Sequence, residues 1–175
     1  MNVDFNHISI GQVILRFHSM LIFLSVPANI YAQQKPPKPL ILYVNPAQGL
    51  SFGAFFQGTT GGSVIVYPNG SRSVTGDIIQ ASLGYSYAPA IIEVEATLGT
   101  VITILNGPDV SLSGSNGGTM SLHLGSSSPT SPFISNANPP SRTQVKIGAT
   151  LTVGNALANP SGSYSGSFQV TFVQQ

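Results

Sequence analysis

From Gly162 to Val173 the chain reads GSYSGSFQVTFV, and apolar and hydroxyl-bearing residues alternate along it. Tyr164, Gly166, Phe168, Val170 and Phe172 fall on one set of positions. Ser163, Ser165, Ser167, Gln169 and Thr171 fall between them. Successive strand side chains point to opposite faces, so this spacing predicts a strand with one apolar and one polar face. A helix would scatter the same five residues around its circumference. A final strand needs a sheet to dock on, so the preceding chain is expected to supply one.

The same rhythm recurs upstream. LILYV (40–44) predicts a first strand, and LSFGAFF (50–56) a second, with Gly53 marking a bulge. Gly61-Gly62 introduces SVIVY (63–67). Pro68-Asn69-Gly70 then separates it from SRSVTG, a strong hairpin signal. In AIIEVEAT (90–97), Ile92, Val94 and Ala96 share one face, and Glu93 and Glu95 share the other. VITIL (101–105), VSLSG (110–114) and TMSLHL (119–124) follow, with Met120, Leu122 and Leu124 on one side and Ser121 and His123 on the other. Residues 125–141, GSSSPTSPFISNANPPS, contain four prolines and read as a long loop. TQVKIGATLTVGN (143–155) returns to strand character, and residues 158–162 form the turn into the final strand. Roughly nine or ten short strands separated by turn signals predict an all-β antiparallel sandwich.

The N-terminus differs. Residues 13–26, VILRFHSMLIFLSV, are apolar except for Arg16, His18 and Ser19 and Ser25, and the run from Met20 to Val26 is too short to span a bilayer. With Arg16 before it and Pro27, Ala28 and Ala32 after it, this segment reads as a secretory signal peptide cleaved after Ala32. QQKPPKP (33–39) follows as a short proline-rich leader, because proline lacks the donor a sheet needs. The expected organisation is therefore a signal peptide at 1–32, a leader at 33–39 and one domain at 40–175. No stable membrane span is expected after cleavage.

Composition narrows the chemistry. Only 6% of the 175 residues are charged, net charge is +1, and cysteine is absent. Without a basic patch nothing supports nucleic-acid binding. Without cysteine there is no disulfide framework and no thiolate nucleophile or ligand. His123 is the one histidine beyond the signal peptide, which disfavours both a Ser–His–Asp arrangement and zinc. Glu93 and Glu95 read as edge charges rather than a calcium site, which needs six to eight oxygens. Asp77 and Asp109 sit near turns. No catalytic, cofactor-binding or metal residue is expected, and no cofactor. Outer-membrane barrel strands need about nine to eleven residues each, longer than most strands here.

Four stretches recur in order: LSFGAF (50–55), GGSVIVYPNGSRSVTGDI (61–78), IGATLTVGN (147–155) and PSGSYSGSFQVTF (160–172). Together they resemble the bacterial secreted family known as domain of unknown function 4402. Ala149 departs from its pattern, where a second glycine is common, as does the ending Val-Gln-Gln, where an aromatic is often found. The resemblance implies export by Gram-negative bacteria and an immunoglobulin-like sandwich, and it implies no established activity or catalytic residues.

Two roles follow as expectations. The first is a structural or adhesive cell-surface subunit. Gly162 is the fourteenth residue from the end, followed by alternating apolar positions, which resembles the C-terminal pattern of chaperone–usher pilin subunits. Strand addition is how such subunits join, by self-association or with another surface protein. The candidate exchange edge comprises Gly162, Tyr164, Phe168, Val170 and Phe172, with Leu40, Leu42 and Val44 as a candidate donor face; pairing of 40–44 within its own domain is the favoured alternative. The second role is a carbohydrate- or ligand-binding module, with Tyr85 and Tyr87 offering rings for stacking.

Overall fold

The computed structural model describes residues 38–45 and 48–175. The expected signal peptide and most of the leader lie outside the described residues. Lys38–Gln175 form one compact unit.

Among the described residues the named elements are all strands. In order they are β1 (Ile41–Val44), β2 (Ser51–Phe52), β3 (Phe55–Val66), β4 (Arg72–Gln80), β5 (Tyr87–Ala88) and β6 (Ala90–Glu95). Then come β7 (Val101–Asn106), β8 (Val110–Gly114), β9 (Thr119–Ser128), β10 (Phe133–Ile134), β11 (Thr143–Val153), β12 (Tyr164–Ser165) and β13 (Val170–Gln174). All pairings are antiparallel. The largest sheet runs β1-β6-β11-β9-β8-β12, with β3 also beside β11 and β4 beyond it. A second sheet runs β10-β7-β13, and β2 pairs with β5. Side chains of both main sheets meet in one core: Ile102, Ile104 and Phe133 from the second sheet join Val64, Val94, Val145, Ile147 and Leu151 from the first.

β11 organises the large sheet. One of its edges pairs with β6 over Thr143–Ile147 and then with β3 over Ala149–Val153. The handover falls at Gly148, where a Cβ would lie 2.6 Å from the Val66 carbonyl and 2.8 Å from Pro68 Cδ. Only glycine lets the three backbones approach so closely. On the other edge the register with β9 shifts between Ile147 and Ala149. Ala149 is buried and stands opposite Val66 and Leu124.

The predicted alternation holds in detail. Ile92, Val94 and Ala96 are buried, as are Met120, Leu122 and Leu124. Four expectations change. First, Gly53 adopts φ 68° and separates β2 from β3 instead of bulging one strand. Second, Gly61-Gly62 lies inside β3, where the register with β4 shifts between Gln57 and Gly62. Asp77 holds this irregular stretch, accepting hydrogen bonds from the Thr59 amide at 2.6 Å and the Thr60 amide at 3.3 Å.

Third, the proline-rich stretch 125–141 is largely structured. β9 extends to Ser128, and Phe133 and Ile134 form β10 against β7. Serine hydroxyls hold the backbone around these prolines by both accepting and donating. The Ser131 hydroxyl accepts from the Ile104 amide at 2.8 Å, and buried Ser135 donates to the Ala137 carbonyl at 3.1 Å. Fourth, the closing segment is two strands in two different sheets. β12 pairs with β8, while β13 pairs with β7. The crossing occurs around Gly166, where a Cβ would lie 2.7 Å from Leu112 Cδ2. The Gly107 amide then donates to the Gln169 carbonyl at 2.9 Å and begins the new ladder. A residue without Cβ at a sharp change of direction is the usual means of turning a sheet corner.

Candidate functional site

β13 is the outermost strand of its sheet. Its bonds to β7 pass through odd-numbered residues: Gln169 accepts from Gly107, and the Gln175 amide donates to the Val101 carbonyl at 3.0 Å. Bonding groups of an antiparallel strand alternate from side to side, so the N–H and C=O of Val170, Phe172 and Gln174 point to the opposite edge. Among the described residues no strand pairs with that edge.

Across from it lies β1, itself the outermost strand of the large sheet. Leu42 stands opposite Val94, and Val44 opposite Ile92. Directly opposed residues share a face, so Leu42 and Val44 point toward the core side with their partners. Val94 is 1% exposed, yet Leu42 is 41% and Val44 66% exposed. The second sheet ends before it covers them. Leu42, Val44, Ile92, Phe168, Val170 and Phe172 line the resulting groove of about 440 Å³.

A wider groove of about 850 Å³ adjoins it, with Phe168 in the wall of both. Phe55, Phe56, Tyr85, Tyr164 and several serines line this part, and no charged side chain does. The aromatic Tyr85 is 73% exposed at its rim. Its expected companion Tyr87 has a different role: it pairs with Phe52 on β5, and the Arg72 guanidinium stacks over its ring at 4.4 Å. Arg72 also donates to the Phe52 carbonyl at 2.8 Å and the Ala54 carbonyl at 3.0 Å, fixing the β2–β3 corner.

The structure therefore divides the expected exchange edge. Leu42, Val44, Phe168, Val170 and Phe172 come together around one groove. Gly162 and Tyr164 belong to the wider groove, where the Tyr164 hydroxyl donates to the Pro160 carbonyl at 2.8 Å. Leu40 is half-buried against the core. Residues 41–44 pair with β6 of their own chain.

Two clusters were not legible in the sequence. On the outer face of β1, Tyr43 donates to Glu95 at 3.1 Å, and Arg142 lies 2.9 Å from Glu93, with its guanidinium 3.4 Å from the Tyr43 ring centroid. The glutamates expected as edge charges thus both face Arg142, Glu95 at 3.8 Å. The Arg142 pKa is raised, first by the hydrogen bond to Glu93. This cluster ties β1 to its own sheet through residues about fifty positions apart. The second is Asn159, 2% exposed, read from sequence as part of a turn. Its side chain accepts from the Gly154 amide and donates to the Thr119 carbonyl at 2.6 Å, while its own carbonyl accepts from Gln57 at 2.6 Å. Asparagine next to proline signalled only a turn.

His123 lies on the outer face, where Nδ1 is 2.6 Å from Asp109 Oδ1 and both side chains are well exposed. Asp109 thus serves a partner fourteen residues away rather than its own turn. Among the described residues no group of three or more His, Asp or Glu side chains is placed to hold a metal ion.

The model of the family described as Domain of unknown function (DUF4402) matches residues 42–173, from β1 to β13, and the chain belongs to that family. No curated protein and no solved structure matches it.

Proposed function

We propose that this member of the family is an exported, non-catalytic structural or adhesive subunit of the cell surface, and that it associates by adding a strand along the free edge of β13. The observation that carries the proposal is the mismatch at β1. Leu42 and Val44 face the core side of their sheet yet remain exposed beside an unpaired strand edge. One further strand on β13 would satisfy the ladder groups of Val170, Phe172 and Gln174 and cover both side chains. Edge-strand addition combines these same two gains, main-chain hydrogen bonds and pockets for alternate side chains. Export is supported by Arg16, the apolar run to Val26 and the small residues Ala28 and Ala32.

The test is a Leu42→Asp, Val44→Asp double variant. Both side chains are already exposed, so the processed protein is expected to fold, while two carboxylates in the groove block association. Size exclusion of the processed protein and oligomer content on the cell surface are the readouts. Undiminished association of the variant, or a stable monodisperse wild-type monomer, would count against strand addition.

A second function rests on the wider groove, whose neutral, hydroxyl-rich and aromatic lining suits a carbohydrate. Glycan-array binding that is lost on Tyr85→Ala and retained on Tyr87→Ala would support it. Binding unaffected by Tyr85→Ala would remove it.

A further inference from the structure

We infer that the wider groove receives the proline-rich leader of a second copy, so that copies join head to tail. This contact is separate from the β13 edge and goes beyond strand addition.

The leader, QQKPPKP (33–39), carries two prolines three positions apart, Pro36 and Pro39, with Pro37 between them. Proline fixes φ and has no amide, so such a sequence favours an extended polyproline conformation with a solvated backbone. Little conformational freedom is left to lose on docking. The segment presents flat rings and carbonyl acceptors, and few donors. A surface that fits it needs aromatic walls and hydroxyl donors, and aromatic-lined grooves are how polyproline segments are recognised.

The wider groove has both. Phe55, Phe56, Tyr85, Tyr164 and Phe168 line it. Ser161, Ser163 and Ser165 border it, and their hydroxyls, like that of Tyr85, make no hydrogen bond among the described residues. Phe56 is 56% exposed and Tyr85 73% exposed, so both keep apolar surface for a partner. No charged side chain lines the groove, so Lys35 and Lys38 of the leader meet no like charge there.

The leader's position favours a second copy over its own domain. Lys38 and Pro39 are exposed ahead of β1. The grooves continue from the other end of that strand, with Val44, Gln48 and Gly49 lining the narrow one and Leu50 onward the wider one. To enter its own groove the leader has to double back along β1, which the stiffness of a proline-rich segment opposes. A neighbour's groove requires no such reversal. Seven residues in polyproline conformation reach about 22 Å, enough to enter the groove with the donor's domain left outside. Leader and groove are different surfaces, so each copy offers one of each. Contacts of this kind propagate into open assemblies unless their rotation closes a ring.

Mixing tests the contact, in Leu42→Asp, Val44→Asp protein so that strand addition is removed. Two further variants are made in that parent. Pro36→Ala, Pro37→Ala, Pro39→Ala spoils the leader, and Phe56→Ala, Tyr85→Ala spoils the groove. The prolines precede the first strand and both aromatic side chains are largely exposed, so each variant should keep the β-rich circular-dichroism spectrum of the parent. Light scattering should show assembly of the parent. Each spoiled variant alone should associate about tenfold more weakly or less still. Their equimolar mixture should form a one-to-one complex and stop there, because it contains one intact leader and one intact groove per pair. A synthetic peptide QQKPPKP should bind the leader variant and not the groove variant. It should also compete with any glycan held by the same lining.

A monomeric parent, a mixture no more associated than its parts, or peptide binding indifferent to Phe56→Ala, Tyr85→Ala would overturn the inference. So would equal binding of a peptide with alanine in place of its prolines. None of these results touches the β13 edge, which the comparison of wild type with Leu42→Asp, Val44→Asp protein reads separately.

Discussion

Val94 and Leu42 stand side by side on one face of one sheet, and so do Ile92 and Val44. On β6 both residues are buried; on β1 both are exposed. The alternating pattern is the same in both strands, so pattern alone does not set burial. What differs is the second layer. β7 and β10 place Ile102, Ile104 and Phe133 over the middle of the large sheet. Beyond β13 there is no further strand among the described residues. Alternation reports which way a side chain faces, and the opposing layer decides whether water is excluded. Under the proposed strand addition, the added strand would lie over these inward-facing, exposed residues.

The largest effect is expected in the covered half of the large sheet. Ile147 is 0% exposed where β6 gives way to β3 along β11. Ile147→Ala should destabilise the monomer by about 3–5 kcal/mol, through lost burial and the cavity left behind. Urea unfolding measures this, and a loss as small as that of a surface change would mean the core is not closed there. Asn159→Ala comes next. It strands the Gly154 amide and the Thr119 carbonyl and should cost about 2–3 kcal/mol. Gly148→Ala drives a methyl group against the Val66 carbonyl, so the same measurement should show a loss of about 1–3 kcal/mol.

The smallest stability effect belongs to the open flank. Val44→Ala should change monomer stability by less than about 0.5 kcal/mol, because the side chain is already largely exposed. Analytical ultracentrifugation should nonetheless show weakened association. A stability loss as large as that expected for Ile147→Ala would mean Val44 is covered in the isolated chain, and the contrast between the two strands would disappear.

Much of this arrangement was legible beforehand. Both strands bordering the groove, and the apolar faces they present, follow from the alternation of Leu40-Ile41-Leu42-Tyr43-Val44 and of residues 168–173. The division of the last segment was not. Period-two alternation runs unbroken from Tyr164 to Phe172, and nothing local shows that β8 claims its start and β7 its end. Gly166 was the one available signal, and a glycine in an apolar position reads equally as a small core residue. The serine-supported strand at Phe133 was hidden because prolines around it mimic a loop. Asn159 and the Tyr43–Glu95–Arg142 cluster depend on partners forty to fifty residues away, which no window of sequence contains.

Alternation along the chain was enough to establish that strands form and which face of each is apolar; their number, thirteen among the described residues against the nine or ten expected, was not legible in it. The first two follow from backbone geometry, which sends neighbouring side chains to opposite sides whatever surrounds them. Only the tertiary structure decided which sheet each strand joins and where one layer stops short of the other. Those outcomes depend on hydrogen bonds and close approaches between distant segments, such as Gly148 against Val66 and Gln169 against Gly107.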